Sequence, residues 1–301
     1  TYLSSATIVL MGQVLAATER MGVASGGIML PNHAPLVVAE QIGTLATLYP
    51  GRVELGLGRA PGTDRLTAAA LRRGASDPGR FAEEILEILT YLGDEPVPER
   101  LPGSLLLGAS SAPDDAAQMP GPDAPRVRAI PGEGTHPTVW VLGSSVNGAR
   151  VAGRLGLPFA VASHFAPVQA EAAIATYRSV LESRAEEAQG AQALRPVPRV
   201  AAAVNVMVAP SQDEARFLFS TAMAAAARIV GNRPAPLDPP TEDPQAWRAY
   251  APGREAAVET AMSLSFVGTA DDVASRLREL ADRWDLDEIL VVTYAHDPAL
   301  R

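Results

Sequence analysis

Residues 138–165 have the sequence TVWVLGSSVNGARVAGRLGLPFAVASHF, and this stretch decides the fold class. Its apolar run at 138–142 predicts a buried strand, residues 147–155 have the spacing of a helix, and 159–162 predict a second strand. Short apolar strands joined by a helix are typical of a parallel sheet covered by helices on both faces. The stretch is therefore predicted to be one strand–helix–strand unit of an α/β protein.

The same alternation continues on both sides of this unit. Further strands are predicted at 23–30, 53–57, 200–208 and 288–293, which brings the count to six. Further helices are predicted at 5–17, 35–48, 77–89, 167–188, 211–230 and 270–284. An open doubly wound sheet and a closed (β/α) barrel both fit this order. In either architecture a site lies at the carboxyl ends of the strands.

Two segments depart from the alternation. Residues 93–137 and 232–254 are rich in Pro and contain only short apolar pieces, which is typical of irregular insertions. We therefore predict a single domain over residues 1–301, with insertions at about 93–137 and 232–254.

The composition excludes several kinds of chemistry within these residues. All 25 cationic side chains are Arg, and there is neither Lys nor Cys. This excludes a Schiff-base lysine, a lysine-containing phosphate loop, a disulfide and a cysteine nucleophile. A net charge of −9 without a basic cluster argues against nucleic-acid binding. With only four His, no metal site is predicted.

The same composition gives an expectation about location. No apolar run approaches the roughly 18 residues of a membrane span. The apolar start has no cation before Arg20, so it lacks the charged front of a signal peptide. We expect a soluble cytoplasmic protein without membrane contact. The first residue is Thr1, which suggests that it is not the natural start.

One predicted strand end favours an anion. Gly143, Ser144 and Ser145 lie between a strand and a helix, so hydroxyls and free amides meet at a helix N-terminus. That geometry binds phosphate without a cation, and Asn147 and Gly148 would extend it. An ordinary helix cap is the alternative interpretation.

Arg59 follows another predicted strand and is a candidate anion clamp. The alternative is a surface Arg paired with Asp64. The preceding Gly56-x-Gly58 is not a dinucleotide fingerprint, because the third glycine falls one position late at Gly62.

Three histidines lie at predicted strand ends: His33, His164 and His296. Each could act as an acid or a base, although each alone is more often structural. His33 and its neighbour Asn32 are held between two prolines, Pro31 and Pro35.

Several segments, in this order, resemble the bacterial-luciferase-like flavin-dependent monooxygenases. They are GGIMLPNHAP at 26–35, AEQIGTL at 39–45, PGRVELGLGR at 50–59, WVLGSS at 140–145, LGLP at 155–158 and VGTA at 267–270. The likeness extends from near residue 5 to near 297, and it is weakest at 93–137 and 232–254. The succession LPNHAP, AEQ, PGR and GLGR is specific, whereas GSS alone is not.

The resemblance implies a (β/α)₈ barrel of the TIM type that binds reduced FMN at its C-terminal face. Residues 29–33 match a segment beside the flavin ring that often contains a non-prolyl cis bond. Arg59 matches a residue at the flavin phosphate, and Ser145 with the amides through Gly148 matches the phosphate-binding turn. Family members carry two earlier strand–helix units, the second ending in a Glu-His-His loop. This sequence contains neither, so the barrel is predicted to lack them.

The resemblance also implies a reaction in which reduced FMN and molecular oxygen oxidise a small organic substrate. The flavin supplies the chemistry, so no metal is needed. A separate reductase would supply the reduced flavin, and a homodimer is expected. Two alternatives stay open, a non-catalytic flavin-binding relative with a degenerate barrel and an F420-dependent oxidoreductase of the same fold. The candidate catalytic residues are His33 and His164, and the candidate cofactor-binding residues are Met29, Asn32, Arg59, Gly143, Ser144, Ser145, Asn147 and Gly148.

Overall fold

The structure is a computed structural model that describes residues 6–60, 71, 80–93, 127–187 and 199–300. The chain divides into two compact units, the first ending at Leu142 and the second beginning at Gly143. Each unit combines parallel strands with α-helices, which confirms the predicted α/β class. The single domain over 1–301 and the lack of the first two strand–helix units stay predictions.

The strand β3 is central to the first unit. On one side it pairs with β1 near its start and with β2 near its end, and on the other it pairs with β4, all in parallel. The strands are β1 (Val23–Ala24), β2 (Ile28–Met29), β3 (Val53–Gly58) and β4 (Thr138–Gly143), whose last residue opens the second unit. The helices are α1 (Thr7–Ala17), α2 (Pro35–Leu48) and α3 (Phe81–Leu92).

The prediction of one continuous strand at 23–30 is wrong, because Ser25 interrupts it. Its buried hydroxyl donates to Gly56 O at 2.9 Å and accepts from Gly56 N at 2.8 Å. The side chain thus takes the place of the backbone in the ladder. Position 56 must be glycine, since a Cβ there would lie 2.1 Å from Ser25 O. The residues on either side of the interruption form β1 and β2.

The core of the first unit lies between α2 and α3. Ile42, Ile85 and Ile88 are completely buried there. Part of the predicted insertion at 93–137 also packs here, because Gly132 lies against Gly43 of α2. A Cβ at Gly43 would lie 2.4 Å from the Gly132 Cα, so both glycines are needed for this approach. Residues 94–126 of that segment lie outside the described residues.

The long strand β6 organises the second unit, since β5, β7 and β8 all pair with it in parallel. The strands are β5 (Phe159–Val161), β6 (Val200–Val208), β7 (Ser265–Gly268) and β8 (Glu288–Val292). The helices are α4 (Val146–Leu155), α5 (Ala170–Glu187), α6 (Gln212–Val230), α7 (Glu255–Ala261) and α8 (Ala270–Trp284).

The described residues contain eight strands, two more than the six predicted. One of the two is β7, and the other results from the division of residues 23–30 into β1 and β2. The short strand β7 was missed because four residues between loops carry little periodic signal. Residues 232–254 are irregular, as predicted, but packed: Trp247 is buried against Ala227 of α6 and Val258 of α7. Among the described residues, no helix is long and apolar enough to cross a membrane.

Candidate active site

The N-terminus of α4 differs from the other described α-helix starts of the second unit in the residues of its cap and first turn. Its cap, Ser145, has an extended backbone, and the hydroxyl accepts no bond from the helix. The first turn contains no acidic residue, so its unsatisfied N–H groups keep their positive potential. At the start of α6, in contrast, Ser211 Oγ accepts from Glu214 N at 3.2 Å and two acids follow. Among the described α-helix starts of the second unit, the α4 N-terminus is the one without an acid in its first turn, which suits it to an anion.

Two glycines of this turn, Gly143 and Gly148, lie against each other. A Cβ at Gly143 would lie 3.4 Å from the Gly148 Cα, and a Cβ at Gly148 would lie 3.4 Å from the Gly143 Cα. Ser144 and Ser145, between them, are half-buried. Asn147 differs from this group, because its exposed side chain accepts a bond from Arg150 at 3.4 Å. What Asn147 offers to the turn is its backbone N–H.

In the first unit, the candidate residues follow β2 and β3. The register pairs Met29 with Gly58, and a Cβ at Gly58 would lie 3.1 Å from Met29 Sδ. Arg59 comes next on the chain and is half-buried. The structure therefore brings Met29 and Arg59 to neighbouring strand ends. Asp64, the alternative partner of Arg59, lies outside the described residues.

The segment after Met29 is a single turn of 3₁₀ helix, Leu30–Asn32. Asn32 is half-buried in it, and the next residue, His33, is exposed. His33 N donates to Leu30 O at 2.9 Å and so closes the turn before α2. The non-prolyl cis bond that the resemblance implies at 29–33 lies instead at Gly26–Gly27.

His164 follows β5 in the second unit and has different surroundings from His33. Burial lowers its pKa to about 4, so the imidazole is neutral at pH 7. Its buried Nδ1 has no hydrogen-bond partner among the described residues. The ring packs edge-on against Phe165 with 4.6 Å between centroids. The third candidate, His296, is exposed beyond the end of β8.

Asn205 is a polar residue of this region that the sequence analysis did not single out. It lies within β6, is 1% exposed, and its Nδ2 donates to the backbone O of His164 at 2.6 Å. The available signal was a single amide side chain within the otherwise apolar run VAAAVNVMV at 200–208. Such a residue requires a polar partner when it is buried.

Two further features of the described residues bear on where chemistry could take place. A cavity of about 380 Å³ in the first unit lies at the beginnings of β3 and β4, lined by Val53, Glu54 and Thr138. Those are the amino ends of the strands, away from the residues described above. Within the described part of the chain, no group of three His, Asp or Glu could hold a metal ion.

The family profile described as luciferase-like monooxygenase matches residues 1–285. The chain belongs to this family. A luciferase-like monooxygenase of Escherichia coli strain K12 is 38% identical over 289 residues, which are 96% of this chain and 76% of the relative. The crystal structure of apo-MsnO8 is similar with a TM-score of 0.73 and 29% identity, over 98% of this chain and 77% of that one. The resemblance seen in the sequence is confirmed.

Two more distant structures share the fold of this luciferase-like family member. One is the oxygenating constituent of 3,6-diketocamphane monooxygenase from Pseudomonas putida in complex with FMN, with a TM-score of 0.59 and 19% identity over 97% of this chain and 79% of that one. The other is an F420-dependent secondary alcohol dehydrogenase, with a TM-score of 0.59 and 15% identity over 98% and 80%. The fold is thus one that holds flavin-type cofactors in other proteins.

Proposed function

We propose that this chain is a flavin-dependent monooxygenase that uses reduced FMN and molecular oxygen to oxidise a small organic substrate. The observation that carries the proposal is the N-terminus of α4, which has an uncapped first turn, no acid and two adjacent hydroxyls. FMN ends in a phosphate, and a helix N-terminus of this kind binds phosphate without a cation. Membership of a monooxygenase family supports the reaction class.

Each unit contains residues that suit the binding of FMN. In the second unit, Gly143, Ser144 and Ser145 with the N–H groups of Asn147 and Gly148 would bind the phosphate. Arg59 of the first unit is proposed to contact the flavin phosphate with its guanidinium, which matches phosphate geometry.

The remaining candidates act on the ring and the substrate. Met29 and Asn32 are proposed to lie beside the flavin ring and to exclude water from it. His33 and His164 are proposed to hold or transfer a proton at an imidazole nitrogen near the substrate. The bound flavin supplies the redox chemistry, and the protein supplies the orientation. A separate reductase, a homodimer and a cytoplasmic location complete the proposal.

Anaerobic titration with reduced FMN and, separately, with reduced F420 tests the choice of cofactor. We expect saturable binding of FMN. Saturable binding of F420 with none of FMN would establish the alternative, hydride transfer by an F420-dependent oxidoreductase. FMN binding without any oxygenation would establish the non-catalytic alternative.

A matched pair of variants tests the phosphate site itself. Ser145→Ala removes a hydroxyl that caps nothing, so FMN affinity should fall about 10-fold or more while the melting temperature stays unchanged. Ser211→Ala removes the bonded cap of α6, so it should lower stability by about 1 kcal/mol and leave FMN affinity unchanged. Equal FMN affinity in the two variants would contradict the assignment.

A further inference from the structure

Asn205 is buried at a position where a polar side chain is costly. It lies on β6 between Val204 and Val206, and 1% of its surface is exposed. Its Oδ1 has no partner among the described residues. An acceptor left unsatisfied in the interior costs about 1–3 kcal/mol, a cost that an apolar residue would avoid. The amide must therefore do something that an apolar side chain cannot.

The contacts of the Asn205 Nδ2 group show what the amide does that an apolar side chain could not. It donates at 2.6 Å to the backbone O of His164, which can only accept, so this contact fixes the orientation of the amide. The same nitrogen lies 3.4 Å from Ser265 Oγ and 3.8 Å from Met262 Sδ. Asn205 thus joins β6 to the loop after β5 and to the segment that leads into β7.

A second bond ties the same loop to the same strand. The hydroxyl of Ser163, which is fully buried, donates to Ala203 O at 2.7 Å. Ser163 and His164 are therefore both anchored to β6, the first through its own side chain and the second through Asn205. Because the position of the backbone determines the direction of the Cα–Cβ bond, the anchored carbonyl fixes the direction in which the His164 side chain leaves the backbone.

We propose that Asn205 is the positioning residue for His164, holding its imidazole where it contacts the small-molecule substrate. The inference rests on the proposed function, which makes His164 a catalytic residue. Asn205 itself touches neither substrate nor flavin and acts through the carbonyl of His164.

The test compares Asn205→Ala and Asn205→Asp with the control Thr221→Val in the full chain. Thr221 is equally buried, and its Oγ1 donates to Asp238 O at 3.0 Å, so the control also removes a buried bond from a side chain to the backbone. The first readout is the imidazole ¹H–¹³C signal of His164, assigned with His164→Gln. The second is kcat for oxygen-dependent substrate oxidation, measured beside the Kd for FMN.

Both Asn205 variants should displace or broaden the His164 signal and leave the signals of the other histidines in place. They should lower kcat by roughly 10- to 100-fold, as expected for a displaced catalytic group, without weakening FMN binding. Thr221→Val should lower the melting temperature and leave the His164 signal and kcat unchanged. An unmoved His164 signal in the Asn205 variants, or an equal displacement in Thr221→Val, would overturn the proposal.

Two further measurements use the unaltered protein and do not depend on the variants. In the unaltered protein, the side-chain amide protons of Asn205 should exchange slowly with water, and rapid exchange would overturn the proposal even where both variants fail to fold. Failure of the proposed function would appear differently, as wild-type protein that neither binds nor uses reduced FMN. In that case the imidazole signal still decides whether Asn205 sets the position of His164, and the catalytic part of the proposal is lost.

Discussion

His33 and His164 each follow a strand, yet the two side chains have opposite surroundings. His33 is exposed and closes a short 3₁₀ turn in the first unit. His164 is half-buried in the second unit, with a pKa lowered to about 4 and a carbonyl held by Asn205. The two histidines therefore differ in burial. His164 is held by a neighbouring strand through Asn205, and burial keeps its imidazole neutral at pH 7.

The largest effect should come from replacing the two histidines in turn. His164→Gln should lower kcat by about 10²-fold or more, because it removes the proposed proton-transfer group. His33→Gln should have a smaller effect, since the His33 side chain is exposed and His164 is not. Steady-state oxidation with reduced FMN measures both. A larger loss in His33→Gln would reverse the comparison.

The next effect concerns the pH dependence of stability. The pKa of His164 is lower in the folded chain than its usual 6.5, so the unfolded chain binds the proton more readily. The free energy of unfolding should therefore fall as pH falls from about 6.5 to about 4, by at most about 3 kcal/mol. Denaturant titrations across this range measure it. His164→Gln should flatten the profile and His296→Gln should not. Identical profiles in the two variants would show that His164 is not the source of this pH dependence.

Arg59 should give a moderate effect on binding. Arg59→Ala should weaken FMN binding by about 1–3 kcal/mol, because it removes a charge-assisted bond to phosphate. Arg216→Ala on α6 is the control, since its guanidinium is exposed beside Asp213. Fluorescence titration with FMN compares the two. Equal affinities would remove Arg59 from the phosphate site.

Much of the fold follows from local sequence. The helix predicted at 35–48 is observed with the same bounds, because Pro35 starts it and Pro50-Gly51 follows it. The interruption at Ser25 was not predictable, since it depends on Gly56, which is 31 residues away. Periodicity cannot report a bond between a side chain and a distant backbone.

The candidate site divides in the same way. The turn at Gly143–Ser145 was predictable, because strand, glycine, hydroxyls and helix follow one another on the chain. Asn205 was not, because its partners His164 and Ser265 are 41 and 60 residues away. Its amide stood out in an apolar run, but only the fold shows that it binds the carbonyl of His164.

The most direct test of the central claim is the reoxidation of reduced FMN. The flavin is bound to the protein without oxygen and mixed with oxygenated buffer, and the absorbance of oxidised flavin is followed by stopped flow. We expect this absorbance to return far more slowly with the protein than with free reduced FMN, and we expect Ser145→Ala to shorten the delay. Reoxidation at the rate of free flavin, at protein concentrations that bind all of it, would contradict a monooxygenase.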